Sequence, residues 1–257
     1  MELRLSARKS FYAERPTDEP ADRGDFPEKK GAKQALSFIR DIIQRFQQNP
    51  GDALIYLLMS AVSILTCLIV HEVAHGWVAL KCGDPTAKMM GRLTLDPRKH
   101  LDPIGTVCML FLRIGWAKPV PINPANFRNY RRDYILVSLA GIAANLLMFL
   151  IGSVAFVLLL KHTTADWIDY LLRFLQMFIT MNLSLAVFNL LPVPPLDGFR
   201  FLNMFFYKGQ LRLSPQTMQM IQIGFLILCF TGVLNGLLST IITGIYNAVV
   251  PFLFRIL

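Results

Sequence analysis

Four long uncharged apolar blocks divide this chain, and the first runs directly into His71-Glu72-Val73-Ala74-His75. That junction constrains the fold more than any other feature. Residues Ala53 to Val70 carry no charge, and a run of this length reads as a membrane-spanning helix. Two imidazoles and a carboxylate at the end of such a helix are costly unless something compensates them. A bound metal ion is the natural compensation, because His-Glu-x-x-His on a helix places two ligands on one face.

The rest of the composition agrees with a membrane location. Hydrophobic residues make up 54% of the 257 and charged residues only 17%, with a mean hydropathy of +0.45. This is a polytopic membrane protein rather than a soluble one. A net charge of +9 would suggest nucleic acid in a soluble chain. Here the excess sits between Lys81 and Asp133, with ten Lys/Arg against four Asp/Glu. Basic loops beside spans report cytoplasmic orientation and contact with anionic headgroups, so the expected partner is the lipid bilayer and not nucleic acid. The four cysteines (Cys67, Cys82, Cys108, Cys229) form no paired spacing and read as reduced structural thiols. The first fifty residues hold no apolar core of signal-peptide length.

Three regions follow from these patterns. Residues 1–52 read as a disordered tail, followed by a short amphipathic helix over Leu36 to Gln48 that ends at Pro50-Gly51. Residues 53–207 form a core with three uncharged blocks: Ala53–Val70 (helical through the signature to about Leu80), Tyr134–Leu160 and Phe174–Leu196. Residues 208–257 read as a C-terminal transmembrane hairpin. Its apolar block, Leu213 to Phe254, is about twice as long as one span needs, and the Gly232–Gly236 stretch offers the turn. The shorter apolar stretch Ile104 to Ile114 is rich in β-formers and flanked by Pro103 and Gly115, which suits a strand or re-entrant element. The expected fold is an α-helical polytopic membrane protein with about five transmembrane helices and a short re-entrant or β element between the first and second. With the basic loop cytoplasmic, spans one and three run inward and the N-terminal tail lies outside.

Spacing assembles a candidate site. His71 and His75 are one helical turn apart and can share one tetrahedral zinc. Glu72 is turned about 100° from them and points beside the metal, where it suits a general base acting on a zinc-activated water. Cys67 lies eight residues from His75, roughly 12 Å along the axis, and reads as packing. Asp197 is the better third ligand. It follows an apolar block broken by Pro192, Pro194 and Pro195, and a carboxylate there needs a partner. By depth it reaches the same side of the bilayer as His71.

Together these residues resemble the site-2 protease family of intramembrane zinc metalloproteases. His-Glu-Val-Ala-His-Gly-Trp at 71–77 is similar to the family's first motif and Leu196-Asp197-Gly198 to its second. Gly91-Arg92-Leu93-Thr94-Leu95-Asp96-Pro97 and the stretch from Gly115 to Pro124 (Gly-Trp-Ala-Lys-Pro-Val-Pro-Ile-Asn-Pro) match as well, so the likeness covers roughly residues 53–207. The resemblance implies a three-span core with His71, His75 and Asp197 as zinc ligands, Glu72 as catalytic base, and membrane-anchored protein substrates. It implies a compact form without PDZ or CBS module, in a bacterial or archaeal plasma membrane, with the active site toward the cytoplasm. Ser138 to Asn145 is similar to the family's Gly-Pro-x-x-Asn element, with Ile142 in place of the proline. On that likeness Asn145 is a substrate-positioning or oxyanion-polarising group, or alternatively an interhelical hydrogen bond. Asn182 and Asn189, seven apart, present the same choice. Two rival functions remain at this level: a metal-ion handling or transport protein, and a catalytically idle membrane binder that retains the zinc site.

Overall fold

A computed structural model describes residues 40, 42–102, 105, 117–162, 168–211, 213–230 and 233–257. The tail expected over the first 35 residues lies outside the described residues. So does nearly all of the stretch 104–114 expected to be strand or re-entrant. Among the described residues every regular element is helical. The reason is the solvent: in hydrocarbon each backbone amide and carbonyl must bond within its own segment.

The first long helix, α1, spans Pro50–Cys82. Asn49 caps it, its side-chain oxygen accepting from the amides of Gly51 and Asp52 at 3.1 and 3.2 Å. Pro50 takes the first helical position, where its missing N–H costs nothing. Residues 42–48 are also helical, so Pro50-Gly51 opens the span at the same point where the preceding helix stops. At 33 residues α1 is about 50 Å long. The signature therefore sits within the helix, with Gly76 to Cys82 continuing it beyond His75.

Two more spans pack beside α1: α2 over Tyr130–His162 and α3 over Ile168–Asn189. Helix α3 stops seven residues before the apolar block does. Leu190 to Leu196 form turns, and a new amphipathic helix, α4, begins at Asp197 and runs to Tyr207. Helices α5 (Pro215–Phe230) and α6 (Val233–Ile256) follow. Of the expected Gly232–Gly236 turn, the last four residues are helical and Gly232 lies outside the described residues. The two helices divide the block unequally. Among the described residues four helices are long and apolar enough to cross a membrane: α1, α2, α3 and the Gly236–Ile256 part of α6. The fifth expected span corresponds to α5, whose 16 residues reach only about 24 Å.

The main core lies between α2 and α3, away from the signature. Phe149, Phe156 and Val157 meet Leu172, Ile179 and Leu183, and Leu238 and Val250 of α6 close the cluster. With lipid as apolar as these side chains, close van der Waals fit rather than expulsion from water holds the spans together. The outcome that matters for function is placement. Helices α1, α2 and α3 pack mutually, and α4 returns against α2, so the start of α4 meets α1 at His71 and His75.

Candidate metal centre

His71 and His75 project from one face of α1, with ring centroids 4.7 Å apart and the rings edge to face. Each Nδ1 is turned away from the other ring and already bonded. His75 Nδ1 lies 2.7 Å from the Val137 carbonyl oxygen. A carbonyl only accepts, so this nitrogen carries the proton. His71 Nδ1 lies 2.7 Å from Asn145 Oδ1. The amide of Asn145 is oriented by its own donor, which reaches the Cys67 carbonyl at 3.2 Å and Asn182 Oδ1 at 2.9 Å. His71 Nδ1 is therefore also the protonated nitrogen.

Both Nε2 lone pairs then point into one space. They lie 3.1 Å apart, and Asp197 Oδ2 sits 3.1 Å from His71 Nε2 and 3.0 Å from His75 Nε2. In the neutral tautomers no proton remains to bridge these three atoms, so they repel one another unless a cation sits among them. The three residues are each about 5% exposed, and their ligand atoms cluster within 4.8 Å. Tetrahedral zinc with bonds of about 2.0–2.1 Å separates its ligand atoms by about 3.3–3.4 Å. The donor set fits one such ion.

Asp197 reaches this point from the first position of α4, not from the end of α3 as its sequence position suggests. The turns from Leu190 to Leu196 carry the chain back toward α1. Arg200, one turn along α4, lies 3.6 Å from Asp197 Oδ1 and leaves Oδ2 to the imidazoles. Cys67 is buried but stays outside the cluster. Its sulfur accepts from Asn145 Nδ2 at 3.1 Å and contacts the Met181 carbonyl.

Glu72 also stands outside the three-residue cluster. Its Oε2 accepts from the backbone amide of Val120 at 2.8 Å, and no hydrogen bond to Oε1 occurs among the described residues. One carboxylate oxygen is thus fixed while the other is left for chemistry.

Asn145, for which the motif resemblance suggests substrate positioning or an interhelical hydrogen bond, makes such hydrogen bonds to α1 and α3. It has no exposed surface, and both its oxygen and its nitrogen bond to protein. Asn182 and Asn189 also part company. Asn182 is fully buried, donates to the Phe178 carbonyl at 2.8 Å, and so turns its oxygen to Asn145. Asn189 donates to the Leu185 carbonyl of its own helix. Gly141, the glycine of the Gly-Pro-x-x-Asn-like element, carries a role that the sequence left unassigned. A Cβ at that position would lie 2.5 Å from both His71 Cε1 and His75 Nε2, so only glycine lets α2 approach the two imidazoles. The available signal was its spacing, one turn before Asn145 on the same face.

Comparison with known proteins gives this geometry a family. The pattern of Peptidase family M50 matches residues 157–231, the stretch that holds Asp197. YwhC of Bacillus subtilis strain 168, described as a candidate zinc metalloprotease, is 42% identical over 166 residues, covering 63% of this chain and 74% of that protein. Rip2 of Mycobacterium tuberculosis, described in the same terms, is 32% identical over 180 residues, covering 67% of this chain and 66% of its own. No solved structure matches the chain at a significant level. The chain belongs to peptidase family M50, the family of the site-2 proteases. It is a multi-pass membrane metallopeptidase.

Proposed function

We propose that this chain is a zinc-dependent intramembrane endopeptidase that hydrolyses peptide bonds of membrane-anchored protein substrates. The observation that carries the reading is the convergence of His71 Nε2, His75 Nε2 and Asp197 Oδ2 within about 3 Å of one another, between α1 and the start of α4. His71, His75 and Asp197 hold the metal, and Glu72 is the general base. Zinc bound there supplies Lewis acidity, which makes water nucleophilic near neutral pH.

The protein's own groups do the rest. Glu72 takes a proton from the attacking water through Oε1 while the Val120 amide keeps Oε2 in place, and it returns that proton to the departing amine. Asn145 and Asn182 act on the metal ligand rather than on substrate. They form a chain of oriented amides that holds the His71 proton on Nδ1 and keeps Nε2 free to ligate. The Val137 carbonyl does the same for His75. A substrate helix must open locally to expose its scissile carbonyl, since helical hydrogen bonds shield it. The active site faces the side of the basic Lys81–Asp133 loop, the cytoplasm in a plasma-membrane setting.

The test is zinc content and cleavage of a transmembrane reporter by purified protein in detergent. Wild type should hold about one zinc per chain and cleave the reporter. Glu72→Gln should keep zinc and lose turnover by about 10²–10⁴-fold, whereas Asp197→Ala should lose zinc. Stoichiometric zinc without cleavage would favour an idle binder, and zinc-free wild type would end the proposal.

A further inference from the structure

The Gly91–Pro97 and Gly115–Pro124 motifs have no part in the metal site, yet the chain brings both to Glu72. Residues 117–123 adopt no regular secondary structure. Pro119 and Pro121 lack amide protons, so only alternate residues of this strap can donate. The Lys118 amide bonds the His100 carbonyl at 2.9 Å, and side chains hold the rest. Arg92 is buried, and its Nη2 donates to the carbonyls of Lys118 at 2.8 Å and Pro119 at 3.2 Å. The very next amide, Val120 N–H, is the one that holds Glu72 Oε2.

At the strap's far end Asp84, fully buried, accepts from the Asn123 amide at 2.7 Å and from Asn126 Nδ2 at 2.8 Å. Helix α1 provides the seat. Gly76 lies one turn after Glu72 on the same face. A Cβ there would come within 2.9 Å of Val120 Cγ1 and 2.7 Å of Leu93 Cδ2, so the absence of a side chain lets Val120 and the residue next to Arg92 press against the helix.

We infer that Arg92 is a positioning residue for proteolysis: by clamping the Lys118 and Pro119 carbonyls it presents the Val120 amide that holds Glu72 beside the metal ligands. A guanidinium withdrawn from water is costly, and no carboxylate pairs with it among the described ion pairs. The Lys118 and Pro119 carbonyls are the partners it finds, both through Nη2. Lysine carries the charge but presents its donors from a single nitrogen on a more flexible stem, so it replaces the clamp only in part. This inference rests on Glu72 acting as general base.

The experiment uses the full chain in detergent, loaded with zinc, as wild type, Arg92→Gln, Arg92→Lys, Val120→Pro and Glu72→Gln. Three quantities are read: zinc per chain, kcat and KM on the transmembrane reporter, and hydrogen exchange of the 118–123 segment by mass spectrometry. Arg92→Gln is expected to keep zinc near one per chain and KM within about twofold, to lower kcat about 10–100-fold, and to speed exchange in the strap. Arg92→Lys should recover part of both effects. Val120→Pro removes the donor, together with the side chain that packs at Gly76, and should lower kcat with zinc retained.

If kcat in Arg92→Gln falls only in proportion to zinc lost, the residue is merely structural and the inference fails. It fails equally if exchange accelerates while kcat stays at the wild-type value. Glu72→Gln protein that cleaves as well as wild type, or zinc-loaded wild type that cleaves nothing, overturns the general-base reading itself and the clamp with it. Loss of turnover in Glu72→Gln together with unchanged kcat in Arg92→Gln overturns the clamp alone.

Discussion

Single atoms set the tolerance of the metal centre. The Gly141 Cα hydrogen faces both imidazoles, and a methyl group in its place would lie 2.5 Å from each. Gly141→Ala should therefore weaken zinc binding by at least about tenfold while α-helical content is unchanged, as read by chelator competition beside circular dichroism. Asn182 offers a subtler case. Replacing it with alanine removes the acceptor that orients Asn145. Outer partners of metal ligands typically govern affinity by about 10–100-fold. Asn182→Ala should fall in that range and alter the visible spectrum of the cobalt-substituted protein. Asn189→Ala, whose amide bonds only its own helix, should do neither. His71, Glu72 and His75 are legible from the sequence because one helical turn dictates their geometry. The difference between Asn182 and Asn189 is not legible. Both sit seven residues apart on one helix face, and only the position of α2 selects which one meets Asn145.

Among the elements, the connection after α1 is held by one carboxylate. Burial alone would raise the pKa of Asp84. The hydroxyl of Thr86, the side chain of Asn126 and the amides of Asn123 and Thr86 outweigh that and hold its carboxyl below the usual range. The unfolded chain thus binds a proton more readily than the folded one, and stability rises with pH across that interval. The contribution is complete above the ordinary carboxylate pKa of 3.8 and is lost as pH falls through the lower folded value. Hydrogen exchange around residues 84–86 and 123–126 should accelerate on acidification below about pH 3.8 in wild type. Asp84→Asn, already lacking the charge, should exchange faster at neutral pH and show no such acid step. The end of α3 teaches the complementary lesson. Pro192, Pro194 and Pro195 announce that the helix stops, yet proline shows only that α3 ends by Asn189 and not where the chain goes next. That Asp197 opens a fresh helix facing α1 follows from α4 packing on α2.

For the molecule as a whole, orientation and metal loading are the testable properties. His71 and Asp197 lie at the end of the bundle from which the basic loop emerges, so a Lys99→Cys probe should react with a membrane-impermeant thiol reagent from the cytoplasmic face and not from outside. Chelation should abolish cleavage and lower thermal stability, and stoichiometric zinc should restore both. At a free zinc concentration a hundredfold above Kd the bound form gains about 2.7 kcal/mol. The sequence by itself determined that this chain lives in a membrane, roughly where its spans run, and that His71 and His75 stand one turn apart on one of them. Those are local properties, written in the length of an apolar run and the 3.6-residue turn. How Asp197 comes within about 3 Å of both imidazoles, why glycine stands at 141, how two buried asparagines orient His71 and how Arg92 reaches Glu72 through a backbone strap were decided by tertiary structure. Each depends on the distance between segments far apart in the chain, and that distance is set by helix packing rather than by spacing along the chain.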